Sequence, residues 1–423
     1  MIPANHEGRQ RGWLVPLLLI SIAALGTWVS GHRVDLGAPV FNLGFGFGPV
    51  VQALLSQHRY GVVDGHYGWW SYACRMPLIP LFAVLVALVF SGGIKVFWLV
   101  KNLLLWSLWI YALLRLRKSF ALADHWVLLA AAVILFVPYN LNIACQMDIE
   151  EGYLVALLGL LYVLLVTGRS RWDFAALGAL VAAIYLAKSS MFLVCGVAVL
   201  WVLVAMWKKD RLAAILPGVL LAAAILGWGG FIHARTGVFA VGADASSWNG
   251  GNYYKGNNAK VPALYPRITL DTLDSTGFLL PTTEVKNEWE LNHAQMAMGR
   301  KYMMSHPGQT LRMDAIKLWV ACCDLRESPE HTPGHTRPMV MMSNGVNHLL
   351  FDIVALLACV HILRRRGSQA EWLFLLLVSA YLAPYFTGFL YMRHMVPLYG
   401  LAAILLALQL SAKTQSPADG EQV

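Results

Sequence analysis

The sequence predicts an all-α polytopic membrane protein, and three observations predict it. The 423 residues are 58% hydrophobic and only 13% charged, with mean hydropathy +0.57, a composition foreign to water-soluble domains. Apolar windows of about twenty residues, long enough to cross a bilayer as helix, recur along the chain. The loops between them fall into two chemical sets. One set is short and basic: Arg9 and Arg11; Arg115, Arg117 and Lys118; Arg169 and Arg171; Lys208, Lys209 and Arg211; Arg364 to Arg366. The other holds nearly all the Asp, Glu, His, Asn and non-membrane Trp. The positive-inside rule puts the basic loops in the cytoplasm and any reaction chemistry on the outer face. ATP and nucleotide sugars, made in the cytosol, are therefore not easy substrates.

Taken in order, spans are expected near 13–31, 94–114, 123–139, 152–167, 173–188, 190–207, 211–232, 346–363, 371–388 and 395–411, about ten helices with both ends cytoplasmic. The first lacks a small-residue cleavage site and reads as a signal anchor. Pro77 to Phe90 is short for a span and fits an interfacial or re-entrant helix; counting it as a span would put the Arg115 to Lys118 cluster outside. The chain thus divides into a transmembrane module over 1–232 with a first outer loop at 32–93, a large outer loop at 233–345, C-terminal helices over 346–411, and a polar, disordered cytoplasmic tail at 412–423. In the large loop, Asn287 is a helix N-cap with Glu290 reaching back. That helix runs to about Ser305, and Pro307 opens the next.

The net charge of +9 lies mainly in the cytoplasmic loops, where it sets topology, so it is no nucleic-acid signal. Cys195 and Cys359 fall in apolar spans as inert packing residues. Cys74, Cys145, Cys322 and Cys323 lie on the outer side, where oxidation is possible; a Cys74–Cys145 bridge is conceivable, though spacing gives no warrant for it. No metal and no cofactor are expected.

Candidate functional residues collect on the outer side. The first outer loop carries Asp35, Asn42, alternating glycines up to Gly48, and the aromatics Tyr67, Trp69, Trp70 and Tyr72. The glycines lack the strand and helix of a nucleotide-binding unit, and the aromatics read first as an interfacial belt. Asp148, Glu150 and Glu151 stand where an apolar helix begins. The helix dipole favours them there, yet carboxylates at bilayer depth are costly unless used. Lys188 and Arg393-His394 are basic groups at outer ends of spans, against the topology bias. Snorkelling explains Lys188 alone; an anionic lipid headgroup or lipid phosphate explains the set.

The run Ser246-Ser-Trp-Asn-Gly-Gly-Asn-Tyr-Tyr-Lys-Gly-Asn-Asn258 resembles the Gly-Asn-rich signature of GT-C glycosyltransferases in the dolichyl-phosphate-mannose-protein mannosyltransferase and aminoarabinose-transferase superfamily. Further pieces follow in the family's order. Arg75-Met-Pro-Leu-Ile-Pro80 resembles its entry to a juxtamembrane helix, Ala187-Lys188-Ser189 its Leu-Thr-Lys-Pro motif, Tyr302 to Lys317 with His306-Pro307 a segment of its large loop, and Arg393-His-Met-Val-Pro-Leu398 the opening of a late span. Each motif alone is weak; their shared order carries the resemblance.

The resemblance implies a GT-C fold with juxtamembrane helices in the first loop, and an integral membrane, inverting glycosyltransferase of the bacterial inner membrane. Such enzymes move a sugar from a polyprenyl-phosphate-linked donor to a glycolipid, polysaccharide or protein acceptor on the periplasmic or outer face. It implies Glu151 or Glu150 as the second acidic site, and Lys188, Arg393, His394 and Arg75 as lipid-phosphate ligands. Asn42, Trp248, Asn252, Tyr253 and Asn257 would contact substrate. The family carries an Asp in the first loop, assigned as base. Counting back from Gly61, this chain has Asn42 and Leu43 at that place, so the base is Asp35 through a shifted loop, or Asp148, Glu150 or Glu151, or the usual activity is lost. A polysaccharide ligase or polymerase using an undecaprenyl-diphosphate-linked substrate is the neighbouring alternative. A transporter or lipid flippase is the rival class; transporters show paired repeats and midplane charges, whereas this chain has no visible repeat and keeps its charges at the outer ends.

Overall fold

The computed structural model describes residues 14–31, 43–44, 46–90, 93–242, 250–267, 270, 273, 278, 281, 284–325 and 337–415. Helices dominate them. In chain order they are α1 (Leu14–Gly31), α2 (Phe47–Gln57), α3 (Leu78–Phe90), α4 (Ile94–Phe120), α5 (Asp124–Leu135), α6 (Pro138–Cys145), α7 (Glu151–Thr167), α8 (Arg171–Ala187), α9 (Phe192–Met206), α10 (Arg211–Thr236), α11 (Gly250–Gly256), α12 (Val261–Leu264), α13 (Glu288–Ser305), α14 (Pro307–Cys322), α15 (Arg337–Leu363), α16 (Gln369–Thr387) and α17 (Met392–Gln415). The described strands, β1 (Val62–Val63) and β2 (Trp70–Ser71), pair antiparallel with Val62 opposite Ser71.

Among the described residues, six helices are long and apolar enough to cross a membrane, one of them α9 taken together with the turn Ser189–Met191 before it, or up to seven if the bent pair α5–α6 is one span. Every expected span contains a helix. The expected span at 123–139 is not straight: the chain turns by 71° between Leu135 and Pro138. Pro138 has no N–H to continue α5, and Val137 before it is extended, at ψ 112, as a residue preceding proline prefers. Pro138 instead starts α6.

The core centres on α7, which is buried nearly all round, as an evenly apolar helix must be. It packs on α4, α8 and α17. Gly159 makes the α4 crossing possible, since a Cβ there would collide with the Trp109 ring. On the expected cytoplasmic side, capping boxes start α8 (Ser170 with Asp173) and α16 (Ser368 with Glu371). These satisfy helix-end N–H groups that a bilayer cannot.

The expected helix in the large loop is α13. Asn287 Oδ1 accepts from the N–H groups of Trp289 and Glu290, and Glu290 reaches back one residue further than expected, to the N–H of Lys286 at 2.9 Å. Pro307 opens α14. Three expectations shift. Helix α15 begins at Arg337, well before 346, because its polar residues Asn344, Asn347 and His348 are buried against protein. Helix α17 continues to Gln415 beyond the expected tail boundary, since Ala412 to Gln415 hold nothing that breaks a helix; 416–423 lie outside the described residues. Cys359 is exposed beside the exposed Leu356 and Leu363, a stripe at helical spacing that faces away from the core rather than packing inside it. None of the six cysteines, Cys74 and Cys145 included, forms a disulfide.

Candidate active site

Three carboxylates sit where the bent α5–α6 pair returns to α7. The turn is shaped from inside the protein: Lys101, fully buried on α4, donates from Nζ to the carbonyl of Ala144 at 2.5 Å, and Tyr153 Oη donates to Met147 O at 2.8 Å. Gly152 lets the first turn of α7 close on this loop, since a Cβ there would stand 2.9 Å from Ile143 O. Glu150 and Glu151 thereby open α7, at the end of a helix that favours negative charge.

The cations arrive from other parts of the chain. Helix α8 stops at Ala187, and Lys188 takes an extended conformation, φ −154, which turns its side chain onto the start of α7. Lys188 Nζ donates to Glu151 Oε1 at 2.5 Å and lies 3.7 Å from Glu150 Oε2. Arg75 NH1, between β2 and α3, is 3.7 Å from Glu150 Oε1. His394 Nε2, at the start of α17, is 3.9 Å from Glu151 Oε1. Arg393 lies beside it, with Nε 3.3 Å from His394 Nε2, and is an electrostatic partner of both Glu151 and Asp148.

Two tyrosines complete the enclosure. Tyr385 Oη donates to Glu151 Oε1 at 3.3 Å, and its ring stacks on His394 with centroids 4.3 Å apart. Tyr381 Oη donates to His394 O at 2.7 Å. Glu151 Oε2 is buried and takes no hydrogen bond among the described residues. Asp148 is held by the N–H of Gly44 at 3.1 Å. Burial raises its carboxyl above the ordinary value, against that hydrogen bond and the charges of Arg393 and Lys101. Among the described residues no three His, Cys, Asp or Glu side chains group to hold a metal ion.

No family model matches the chain, and no curated protein matches it. Among solved structures it is similar to the archaeal oligosaccharyltransferase AglB from Archaeoglobus fulgidus, in complex with an inhibitory peptide and a dolichol-phosphate. Identity is 13%, 97% of this chain and 53% of that chain are covered, and the TM-score is 0.48. It is also similar to ArnT from Cupriavidus metallidurans bound to undecaprenyl phosphate, at 15% identity over 97% of this chain and 79% of that one, with a TM-score of 0.42. This chain thus spans about half the length of AglB.

Of the residues expected from sequence to act together, Glu150, Glu151, Lys188, Arg75 and His394 meet within 4 Å of a partner in the group, with Arg393 and Asp148 adjoining. Asp35, Asn42 and Trp248 lie outside the described residues. The described part of the Gly-Asn run, residues 250–258, makes contacts within the protein. Asn257 Nδ2 donates to Tyr253 O at 2.8 Å and to Thr387 O at 2.7 Å. Tyr253 Oη donates to Met303 Sδ on α13, and Asn252 is half-buried. Gly256 packs backbone to backbone on Gly388.

This run belongs to a clamp on the link between α16 and α17. Lys317 Nζ donates to Phe386 O at 2.6 Å, and Tyr265 Oη to Leu390 O at 2.5 Å. The N–H of Leu270 donates to Tyr391 Oη at 2.7 Å, and the N–H of Tyr391 donates to His394 Nδ1 at 3.1 Å. The segment between α10 and α15 therefore holds the stretch that carries Tyr385 and His394 to Glu151. Sequence reasoning missed Lys101, Tyr381, Tyr385 and the bridging role of Lys317. Lys101 left a signal, a lysine within an apolar window; Tyr381 and Tyr385 share a helix face but look like ordinary span aromatics.

Proposed function

We propose that this protein is an integral membrane, inverting glycosyltransferase that moves a sugar from a polyprenyl-phosphate-linked donor to an acceptor on the periplasmic or outer face. One observation carries the reading: Glu150, Glu151, Lys188, Arg75 and His394 come from four separate stretches of a membrane-helical chain and converge where its helices begin or end. A purely structural helix start has no need of so many charges at bilayer depth.

The chemistry suits them. Inverting transfer needs a carboxylate to draw the proton from the acceptor hydroxyl as that oxygen bonds to the anomeric carbon, and cations to stabilise the phosphate that leaves on its lipid. Glu151, with its side chain 1% exposed and neutralised by Lys188, fixes the ammonium where the phosphate arrives. Arg75 and Arg393 supply further positive charge, and Glu150, 15% exposed, is the more accessible member of the acidic pair. The base is assigned to Asp35, with Glu150 and Asp148 next in line. The donor class is that of the lipid phosphates found with AglB and ArnT.

The test is release of polyprenyl phosphate by the protein in liposomes supplied with polyprenyl-phosphate sugars and an envelope lipid extract as acceptor. Asp35→Asn and Glu151→Gln should each slow release by roughly 10²–10⁴ with little change in donor binding. Full activity in both variants would remove the catalytic assignment. No release by the wild type with any donor would move the transporter class ahead.

A further inference from the structure

A cavity of about 660 Å³ lies between α2, α3, α8 and α10. Among the described residues no carboxylate lines it, and neither do the ionic groups of the candidate active site. One wall is aromatic: Tyr60 meets Trp228 and Phe231 edge-on at 5.7 Å each. Leu54, Leu81 and Leu186 extend the apolar lining. Gly227 is on this lining, and a Cβ there would meet no atom within 4 Å. The glycine leaves the space open. Beyond it the apolar side chains of Leu81, Leu85 and Leu88 on α3 and Leu226 on α10 are exposed, which continues the apolar path toward the bilayer.

The polar end of the cavity carries cationic or basic nitrogen, with the Tyr72 hydroxyl beside it. His58, Arg59 and Arg235 line it. Arg59 is held in place, its guanidinium 4.0 Å over the Trp70 ring and its Nε donating to Tyr72 Oη at 3.0 Å. Arg235 lies 6.0 Å over the ring of Phe231. Under the charge rule these groups are on the outer side, where cations run against the topology bias and call for an anionic partner.

We propose that this cavity binds a bilayer phospholipid with an anionic headgroup, its phosphate against Arg59 and Arg235 and one acyl chain along the Tyr60–Trp228–Phe231 wall. A zwitterionic headgroup would bring an ammonium to a rim that already holds two guanidiniums. A reacting donor lipid would need a carboxylate beside its phosphate, and among the described residues none lines this cavity. The occupant is therefore a resident lipid that fills the gap between the first outer segment and α10.

The experiment counts lipids retained by the full-length protein in native mass spectrometry after exchange into detergent with phosphatidylglycerol or phosphatidylcholine. The wild type should keep one phosphatidylglycerol where phosphatidylcholine is lost. The double variant Arg59→Gln/Arg235→Gln should weaken that retention by roughly thirtyfold, as expected for two lost cations near a lipid phosphate. Gly227→Leu, which fills the space without displacing a neighbour, should abolish it. Equal retention of the two lipids by the wild type, or undiminished phosphatidylglycerol in either variant, would overturn the proposal. So would displacement of phosphatidylglycerol by equimolar undecaprenyl phosphate, which would assign the cavity to the donor. Because the readout is binding, it stands or falls separately from the transfer activity.

Discussion

Lys317 Nζ donates to the carbonyl of Phe386 at 2.6 Å, so a buried ammonium on α14 holds the last turn of α16. Phe386 is one residue past Tyr385, which reaches Glu151. Lys317 also pairs with Asp314 at 3.0 Å, a group 40% exposed that water can satisfy by itself.

Lys317→Met should therefore lose a charge-assisted hydrogen bond, costing roughly 1.5–3 kcal/mol of stability. Transfer should fall further than the melting temperature alone explains, because Tyr385 and His394 lose their support. Lys317→Arg should restore part of the rate. Thermal unfolding in detergent beside polyprenyl phosphate release checks this; a rate that follows folded protein fraction in both variants would reduce Lys317 to a stability residue.

Removing one member of the Lys188–Glu151 pair strands a charge in a buried site. Lys188→Met alone should destabilise by about 3–5 kcal/mol, whereas Lys188→Met with Glu151→Gln should recover much of that loss yet remain inactive. A double-mutant cycle on unfolding midpoints measures the coupling. Additive losses would mean that the pair is not energetically linked.

Asp148 gives a pH dependence. Its carboxyl titrates above the ordinary value of 3.8 because burial disfavours the charge, so the folded protein holds its proton to higher pH than the unfolded chain. The resulting stabilisation is complete below the ordinary value and is lost as pH rises through the raised one. Asp148→Asn stays neutral and can still accept the Gly44 N–H through its amide oxygen. It should match the wild type in melting temperature near pH 4 and equal or exceed it at pH 7. A variant that is less stable at pH 7 than at pH 4, relative to wild type, would contradict the burial argument.

Glu288 begins α13 and its carboxylate takes hydrogen bonds from Ser71 Oγ, from Tyr72 N at 3.2 Å and from Ala73 N at 3.2 Å. It is buried and ties the segment between α10 and α15 to the stretch that ends at Arg75. Glu288→Ala leaves those donors without a partner, at a cost of roughly 1–3 kcal/mol. Limited proteolysis should then cut within 58–73 faster than in wild type, while cleavage of the basic loops between helices stays the same. An unchanged cutting pattern would show that other contacts hold this junction.

The helical membrane fold class was legible in the chain because a bilayer imposes it: backbone groups in hydrocarbon must pair within the segment, so apolar windows of sufficient length become helices. Chain punctuation was legible too, as at Asn287 and Pro307, because caps and prolines act within a few residues. So was the charge surplus of Glu150, Glu151, Lys188 and His394 at helix ends, where carboxylates at bilayer depth and cations against the topology bias need a reason; Arg75 was singled out only by the family resemblance. Which of them touch was decided by tertiary structure. The Lys188–Glu151 contact depends on how α8 packs on α7, and the bend at Pro138 aims the acidic turn. The clamp by Asn257, Tyr265 and Lys317 joins residues far apart in sequence to the carbonyls of Thr387, Leu390 and Phe386, at the end of α16 and in the link after it. A hydrogen-bond donor carries no mark of its distant acceptor. Asn257, read from sequence as a substrate contact, could be placed on Thr387 only by the packing of α11 against the end of α16.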